Sequence, residues 1–292
     1  VELVLKYLNI KSLSPIFKHL DNRMKKYTQN LFTICRLLAM LLVIAFTFPA
    51  NALFAQAPPS VFSLEQYTPQ ITVQDGVNCY AYASVYAALS TQYAFIHHIK
   101  ADSAHAFSFG YTDGLIYHFG PDSVKTMAWK ANGGNINDYG NLDNALYILQ
   151  TYGAWFFYRF PYTKEADINQ HFDLTLAQTA PDIRVSKIRE IITPADYQHT
   201  DTITNRVQRA IASGRPVICA IRELKGYCDE RFVRDGDVSQ MPTANHIVTI
   251  VGYDLARHTF RVKNNFAPDC VFSVPIARFC NALSWAYVLD MP

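Results

Sequence analysis

Three side chains in this sequence could together attack a carbonyl, and each sits where local structure could arm it. Cys79 follows a turn-forming run, Asp75-Gly76-Val77-Asn78, and opens a stretch of strong helix formers with an apolar face at Tyr80, Ala83, Ala87, Ala88, Tyr93 and Ile96. A thiol in the first turn of a helix lies at the positive end of the backbone dipole, which favours the nucleophilic thiolate. A cysteine on a helix is most often just a small buried hydrophobe, so its partners decide the reading. Such a thiolate needs an imidazole, and the imidazole needs a third group to hold its ring and tautomer. His246 begins an apolar run, His246-Ile247-Val248-Thr249-Ile250-Val251-Gly252-Tyr253, and Asn264 lies in Val262-Lys263-Asn264-Asn265-Phe266. If the two runs are strands joined through Asp254 to His258, antiparallel pairing brings the start of one beside the end of the other. His246 and Asn264 then become neighbours. With nine histidines in the chain, no single piece of this is informative alone.

The elements around these residues change character along the chain. The Cys79 helix is expected to run to about His98, with a short helix near Thr112 to Phe119. Another covers Leu142 to Tyr152, with Leu142, Ala145, Leu146 and Leu149 on one face and Gly153 to end it. Beyond Asp182 the pattern reads as strands: Arg184 to Ile192, Val217 to Arg222, His246 to Tyr253, Thr259 to Phe266, Val271 to Val274 and Trp285 to Leu289. One helix interrupts them, from Ile203 to Ser213, stopped by Gly214. Helices first and strands later predict an α+β protein whose halves face one another across a cleft.

Composition excludes several classes. The 292 residues are half hydrophobic, with a net charge of +2 and interspersed signs, which points to a globular chain and away from a nucleic-acid surface. Met24-Lys25-Lys26 opens a basic region ending at Arg36. The apolar run Leu37 to Phe46 and small residues at Ala50-Asn51-Ala52 and Ala55-Gln56-Ala57 follow. This order describes a secretory signal peptide, with Met24 as the start and residues 1–23 as an upstream extension. The expected location is secreted or periplasmic, with no membrane anchor after cleavage. The six cysteines then read as Cys35 in the signal region, Cys79 as the odd thiol, and Cys219, Cys228, Cys270 and Cys280 as an even set for an oxidising compartment. Local bridges 219–228 and 270–280 are possible, and sequence leaves the connectivity open. No C-x-x-C or H-x-x-x-H spacing suggests a metal, and no cofactor is implied.

In this arrangement the chain resembles the papain-like cysteine peptidases. The family's Cys-Trp-Ala-Phe-Ala/Ser is matched by Cys79-Tyr80-Ala81-Tyr82-Ala83-Ser84, its His-Ala-Val-x-x-Val-Gly-Tyr by His246 to Tyr253, and its Lys-Asn-Ser-Trp-Gly by Lys263-Asn264-Asn265-Phe266-Ala267. Its Asn-Gly-Gly is matched by Asn132-Gly133-Gly134. Ala145-Leu146 to Gly153 and Phe160-Pro161-Tyr162 follow in family order, so the likeness covers essentially all of the chain after residue 58. It implies a two-lobed fold. A mostly helical lobe, about 79–165, faces an antiparallel β-barrel-like lobe, about 166–292 with the 58–78 lead.

The resemblance implies a cysteine-type endopeptidase acting on polypeptides through a thioester. Cys79 is the implied nucleophile, His246 its acid–base partner, Asn264 the orienting group, and Gln74 an oxyanion donor beside the Cys79 N–H. Gly133 and Gly134 would present backbone to an extended substrate, Ala244 and Ile247 would line a subsite, and Phe266 would shield the His246–Asn264 hydrogen bond. The chain departs from the pattern in places. Gln74 lies five positions before Cys79, one closer than usual, with the Asn78 side chain as the alternative donor. Phe266 and Ala267 replace Trp and Gly, and the disulfide usual in the helical lobe lacks its cysteines. These departures leave two other readings: a catalytically weak or inactive papain-fold binding protein, and an amidase or acyltransferase using the same triad.

Overall fold

A computed structural model of the chain describes residues 19–20, 23–36, 57–75, 78–118, 141–196, 199–222, 228–229, 231 and 246–292. The expected apolar signal segment, the Asn132-Gly133-Gly134 motif and Ala244 lie outside these residues. The chain divides into two compact units, Val1–Ala57 and Pro58–Pro292. In the first, residues 23–36 are helical and exposed. Among the described residues no helix is long and apolar enough to cross a membrane.

The second unit is a mixed helical and antiparallel-sheet structure. Strand β1 (Val61–Ser63) precedes α1 (Cys79–Ala81), which continues through a π-helical stretch, Tyr82–Leu89, into α2 (Ser90–His97). Then come α3 (Phe109–His118), α4 (Leu142–Thr151), α5 (Glu165–His171), β2 (Lys187–Ile192), α6 (Thr200–Ala212), β3 (Val217–Ile221), β4 (His246–Asp254), β5 (Thr259–Lys263), β6 (Val271–Pro275), α7 (Ile276–Ala282) and β7 (Leu283–Asp290). The sequence signals for stops operate as expected at two positions. Gly153 and Gly214 both adopt φ of +79°, a left-handed conformation open to glycine, just past the C-caps Tyr152 and Ser213 of α4 and α6. Asn141 caps α4 by accepting the Asn144 N–H at 2.9 Å.

The strands are ordered β2-β7-β3-β4-β5-β6, with β1 pairing to β4, and every pairing is antiparallel. Among the described residues the path is open at β2 and β6, so no closure into the expected barrel-like lobe is seen. Its central strands are needed on both faces. Along β3, Ile218 and Ala220 enter the apolar cluster built by α1 to α5, while Val217, Cys219 and Ile221 enter a second cluster with α6, α7 and the outer strands. That double burial is why Val217 to Ile221 reads as an unbroken apolar run instead of an alternating one.

The helix carrying Cys79 is enclosed too. From Tyr80 to Gln92 every side chain is buried, including Ser84, Ser90 and Thr91, so its packing is all-round and not confined to one amphipathic stripe. Ile96, placed on the apolar face by periodicity, is 48% exposed because the helix has by then emerged from the core. His98 ends it in a left-handed conformation, φ 54°. Ser84, in the π-helical stretch, and Thr91, in α2, fold their hydroxyls back on the carbonyls of Tyr80 and Ala87, each at 2.6 Å. These bonds satisfy buried hydroxyls that would otherwise be costly.

The disulfide differs from both local bridges. Cys228 bonds to Cys270, while Cys219 and Cys280 are buried free thiols. Cys219 lies mid-strand in β3 and shares one apolar cluster with Cys280 on α7 and with the bridged Cys270. Burial pushes both thiols well up, Cys280 to about 12.

Candidate active site

Strand β4 places His246, its first residue, beside Asn264 and packs against α1, the helix that begins at Cys79. The Thr249 hydroxyl donates to the Ala83 carbonyl at 2.9 Å, tying β4 to the helix one turn past Cys79. Strand β5 pairs antiparallel with β4, with Thr249 opposite Lys263, so the chain leaving β5 turns back beside the start of β4.

There His246 Nε2 lies 2.9 Å from Asn264 Oδ1, with His246 5% and Asn264 1% exposed. The same oxygen accepts the Asn265 backbone N–H at 2.9 Å. A backbone N–H can only donate, so the accepting atom is the carboxamide oxygen, and His246 Nε2 must itself be the donor. Nε2 therefore carries the proton, and Nδ1 is the nitrogen left to act as a base. Burial pushes the His246 imidazole below its ordinary range, against the opposing pull of its hydrogen bond to Asn264. Phe266 stacks on the imidazole, ring centres 5.5 Å apart and planes 17° from parallel. It covers one face while remaining 44% exposed itself.

The Asn264 loop is braced from below. Lys263 is fully buried, its ammonium donating to the carbonyls of Pro268 at 2.5 Å and Ala267 at 3.4 Å and lying 6.0 Å from the centre of the Tyr82 ring. Burial lowers its pKa to about 8. The Asn264 N–H donates to the Cys270 carbonyl at 2.9 Å, so the disulfide-bonded cysteine also supports the orienting residue.

Cys79 is partly exposed and not disulfide-bonded. As the first residue of α1, its backbone N–H points out of the helix end. Gln74 is half-buried, and its backbone N–H donates to the Asn265 carbonyl at 3.0 Å, which brings it alongside the Asn264–Asn265 loop. Asn78, the alternative oxyanion donor, is turned elsewhere: its Nδ2 donates to Asp113 Oδ2 at 3.3 Å. Ile247 is half-buried and packs against the helical cluster, as an ordinary core-edge residue does. Gly133, Gly134 and Ala244 lie outside the described residues. Sequence reasoning missed two contributors. One is Asn265, whose backbone touches both Asn264 and Gln74. The other is Asp113, an acid on a predicted helix with no sequence signal to separate it from a solvated one. Among the described residues no cluster of histidine, cysteine or acidic side chains could hold a metal ion.

No family model matches the chain, and no curated protein matches it. Solved structures do. Xylellain, a cysteine protease from Xylella fastidiosa, superposes with a TM-score of 0.51 at 17% identity, over 81% of this chain and 87% of that one. Digestive procathepsin L 3 from Tenebrio molitor larval midgut gives 0.53 at 17% identity, over 81% and 71%. The ragweed pollen cysteine protease Amb a 11, in its proform, gives 0.53 at 15% identity, over 82% and 67%. At this distance in sequence the shared feature is the course of the backbone: the chain has the fold of the papain-like cysteine proteases.

Proposed function

We propose that this chain is an exported cysteine peptidase that cleaves polypeptides through a thioester on Cys79. The observation that carries the reading is the His246–Asn264 pair, buried, with its tautomer fixed so that Nδ1 is the basic nitrogen. Nδ1 takes the Cys79 proton. The thiolate attacks the scissile carbonyl, and the charge on the carbonyl oxygen is met by the Cys79 N–H and the Gln74 amide. Imidazolium then protonates the leaving amine, and water resolves the thioester by the reverse sequence. Asn264 holds the ring without adding a negative charge, so thiolate and imidazolium form the charge pair between them. Gly133, Gly134, Ala244 and Ile247 belong to the substrate-binding side of this reading. Export rests on the order of charged, apolar and small residues from Met24 to Ala57.

The test is turnover. Wild-type protein cleaves a denatured protein or a peptide library, and Cys79→Ala abolishes cleavage while keeping the wild-type fold. Wild-type protein that is folded, carries a reactive Cys79 and cleaves nothing would refute the peptidase reading in favour of a binding protein. Turnover restricted to non-peptide amides or to acyl transfer would move it to another acyl chemistry on the same triad.

A further inference from the structure

The reading above leaves unexplained a buried acid beside the nucleophile. Asp113, on α3, is 2% exposed. Its Oδ1 accepts the Tyr80 hydroxyl at 2.6 Å, and its Oδ2 accepts Asn78 Nδ2 at 3.3 Å. Asn78 and Tyr80 are the residues on either side of Cys79 in the chain, and both are buried. One carboxyl group thus grips the nucleophile's two neighbours. Asn78 ordinarily caps a helix through its own side chain, but it makes no such bond here. Its amide is given to Asp113 instead.

The consequence follows from the peptide plane. The Asn78 carbonyl and the Cys79 N–H belong to one planar trans peptide, so they point in opposite directions. The carbonyl accepts the N–H groups of Ala81 and Tyr82 at 3.1 and 3.0 Å, which directs the Cys79 N–H out of the helix end. Asp113 holds the Asn78 side chain on one side of this peptide and, on the other, the Tyr80 side chain one residue beyond Cys79, which resists rocking of the plane about the chain axis. We propose that Asp113 is a positioning residue for the oxyanion donor: it fixes the direction of the Cys79 N–H through Asn78 and Tyr80. This rests on Cys79 being the nucleophile. It assigns Asp113 no contact with substrate and no proton transfer.

The experiment separates oxyanion positioning from general support of the fold. Asp113→Ala, Asp113→Asn and Tyr80→Phe are compared with wild type in three measurements: kcat and KM on a peptide substrate, the alkylation rate of Cys79 by iodoacetamide, and melting temperature. Iodoacetamide loses iodide from a tetrahedral carbon and forms no oxyanion, so it reports the thiolate alone. A displaced donor is expected to cost less than a deleted one, which typically loses about 10²–10³ in rate. Asp113→Ala should therefore lower kcat about 10- to 100-fold, with KM and alkylation each within about 3-fold of wild type. Asp113→Asn should recover most of kcat. It keeps an acceptor for Tyr80, and its amide can donate to Asn78 Oδ1, which among the described residues has no hydrogen-bond partner. Tyr80→Phe, which removes one hydroxyl, should fall between the two. An unchanged kcat in Asp113→Ala, or parallel losses of kcat and alkylation, would overturn the proposal. If Asp113→Ala does not fold, Tyr80→Phe decides: unchanged kcat refutes positioning. Wild-type protein without turnover refutes the parent reading instead, whereas active wild type insensitive to Asp113 and Tyr80 refutes only this one.

Discussion

Replacing Asn264 by alanine probes the orienting group and has a magnitude set by the structure. The substitution deletes the acceptor of two buried donors, His246 Nε2–H and the Asn265 N–H, both at 2.9 Å. While the imidazole is neutral, each orphaned donor costs about 1–3 kcal/mol of stability unless water replaces the oxygen. In the transition state the imidazole is charged, and a hydrogen bond to a charged group is worth about 1.5–3 kcal/mol. At about 1.4 kcal/mol per factor of ten, kcat should fall about 10- to 150-fold. The pH profile moves as well. The Asn264 bond raises the His246 pKa against the stronger lowering by burial, so its loss lowers that pKa further. Imidazolium then deprotonates earlier, and the alkaline limb of kcat/KM shifts to lower pH. Asn264→Asp places a negative charge beside the ring and shifts that limb upward. The assay is a pH–rate profile on one peptide for the three proteins. Asn264→Ala with kcat within 2-fold of wild type and an unmoved alkaline limb would show that this pair does not orient a catalytic imidazole.

Other outcomes follow from the surroundings of the site. Phe266→Ala uncovers one face of His246 at a position already partly exposed, so kcat/KM should fall about 2- to 10-fold with little change in melting temperature, the loss expected for one ring contact. Lys263 has a folded-state pKa of about 8 against about 10.4 in an unfolded chain. Its depressed pKa means the unfolded state holds a proton that the folded state has released between these values. Stability therefore rises with pH across that window, by about 3 kcal/mol for this residue. Denaturant unfolding from pH 8 to 10 should show a smaller rise in Lys263→Met than in wild type, and parallel curves would contradict the assignment. Cys228→Ser removes a cross-link between residues 42 apart, which by loop closure costs up to about 4 kcal/mol. Wild type should show a matching loss of stability on reduction, and Cys228→Ser none.

The His246–Asn264 contact was legible because a short hairpin between two apolar runs leaves one simple pairing, and the structure keeps it. The ends of α4 and α6 were legible because Gly153 and Gly214 sit where only a left-handed residue can end those helices without strain. What failed depended on partners distant in sequence. Ile96 fits the helical period but lies beyond the core edge. The bridge joins Cys228 to Cys270 across 42 residues, a pairing between distant segments that local spacing does not suggest. Helix α7 was hidden because Ile276 to Ala282 lies between two strands without a capping signal, and Pro275 makes no side-chain cap. An open sheet and a closed barrel give the same strand signals, since closure is decided by whether β2 and β6 meet. Asp113 was invisible for the same reason: its meaning comes from Asn78 and Tyr80, more than thirty residues away.

The central claim is that Cys79 and His246 work as a charge pair, and the pH dependence of Cys79 alkylation tests it most directly. Iodoacetamide labelling at Cys79 is followed from pH 4 to 10 in wild type and in His246→Ala, with labelled peptides identified by mass. In wild type the account predicts labelling well below the ordinary thiol pKa of about 8.5, where imidazolium stabilises the thiolate. In His246→Ala it predicts a single transition moved back toward that value. Coincident curves, both rising near pH 8.5, would contradict it and leave Cys79 an ordinary thiol in a papain-like fold.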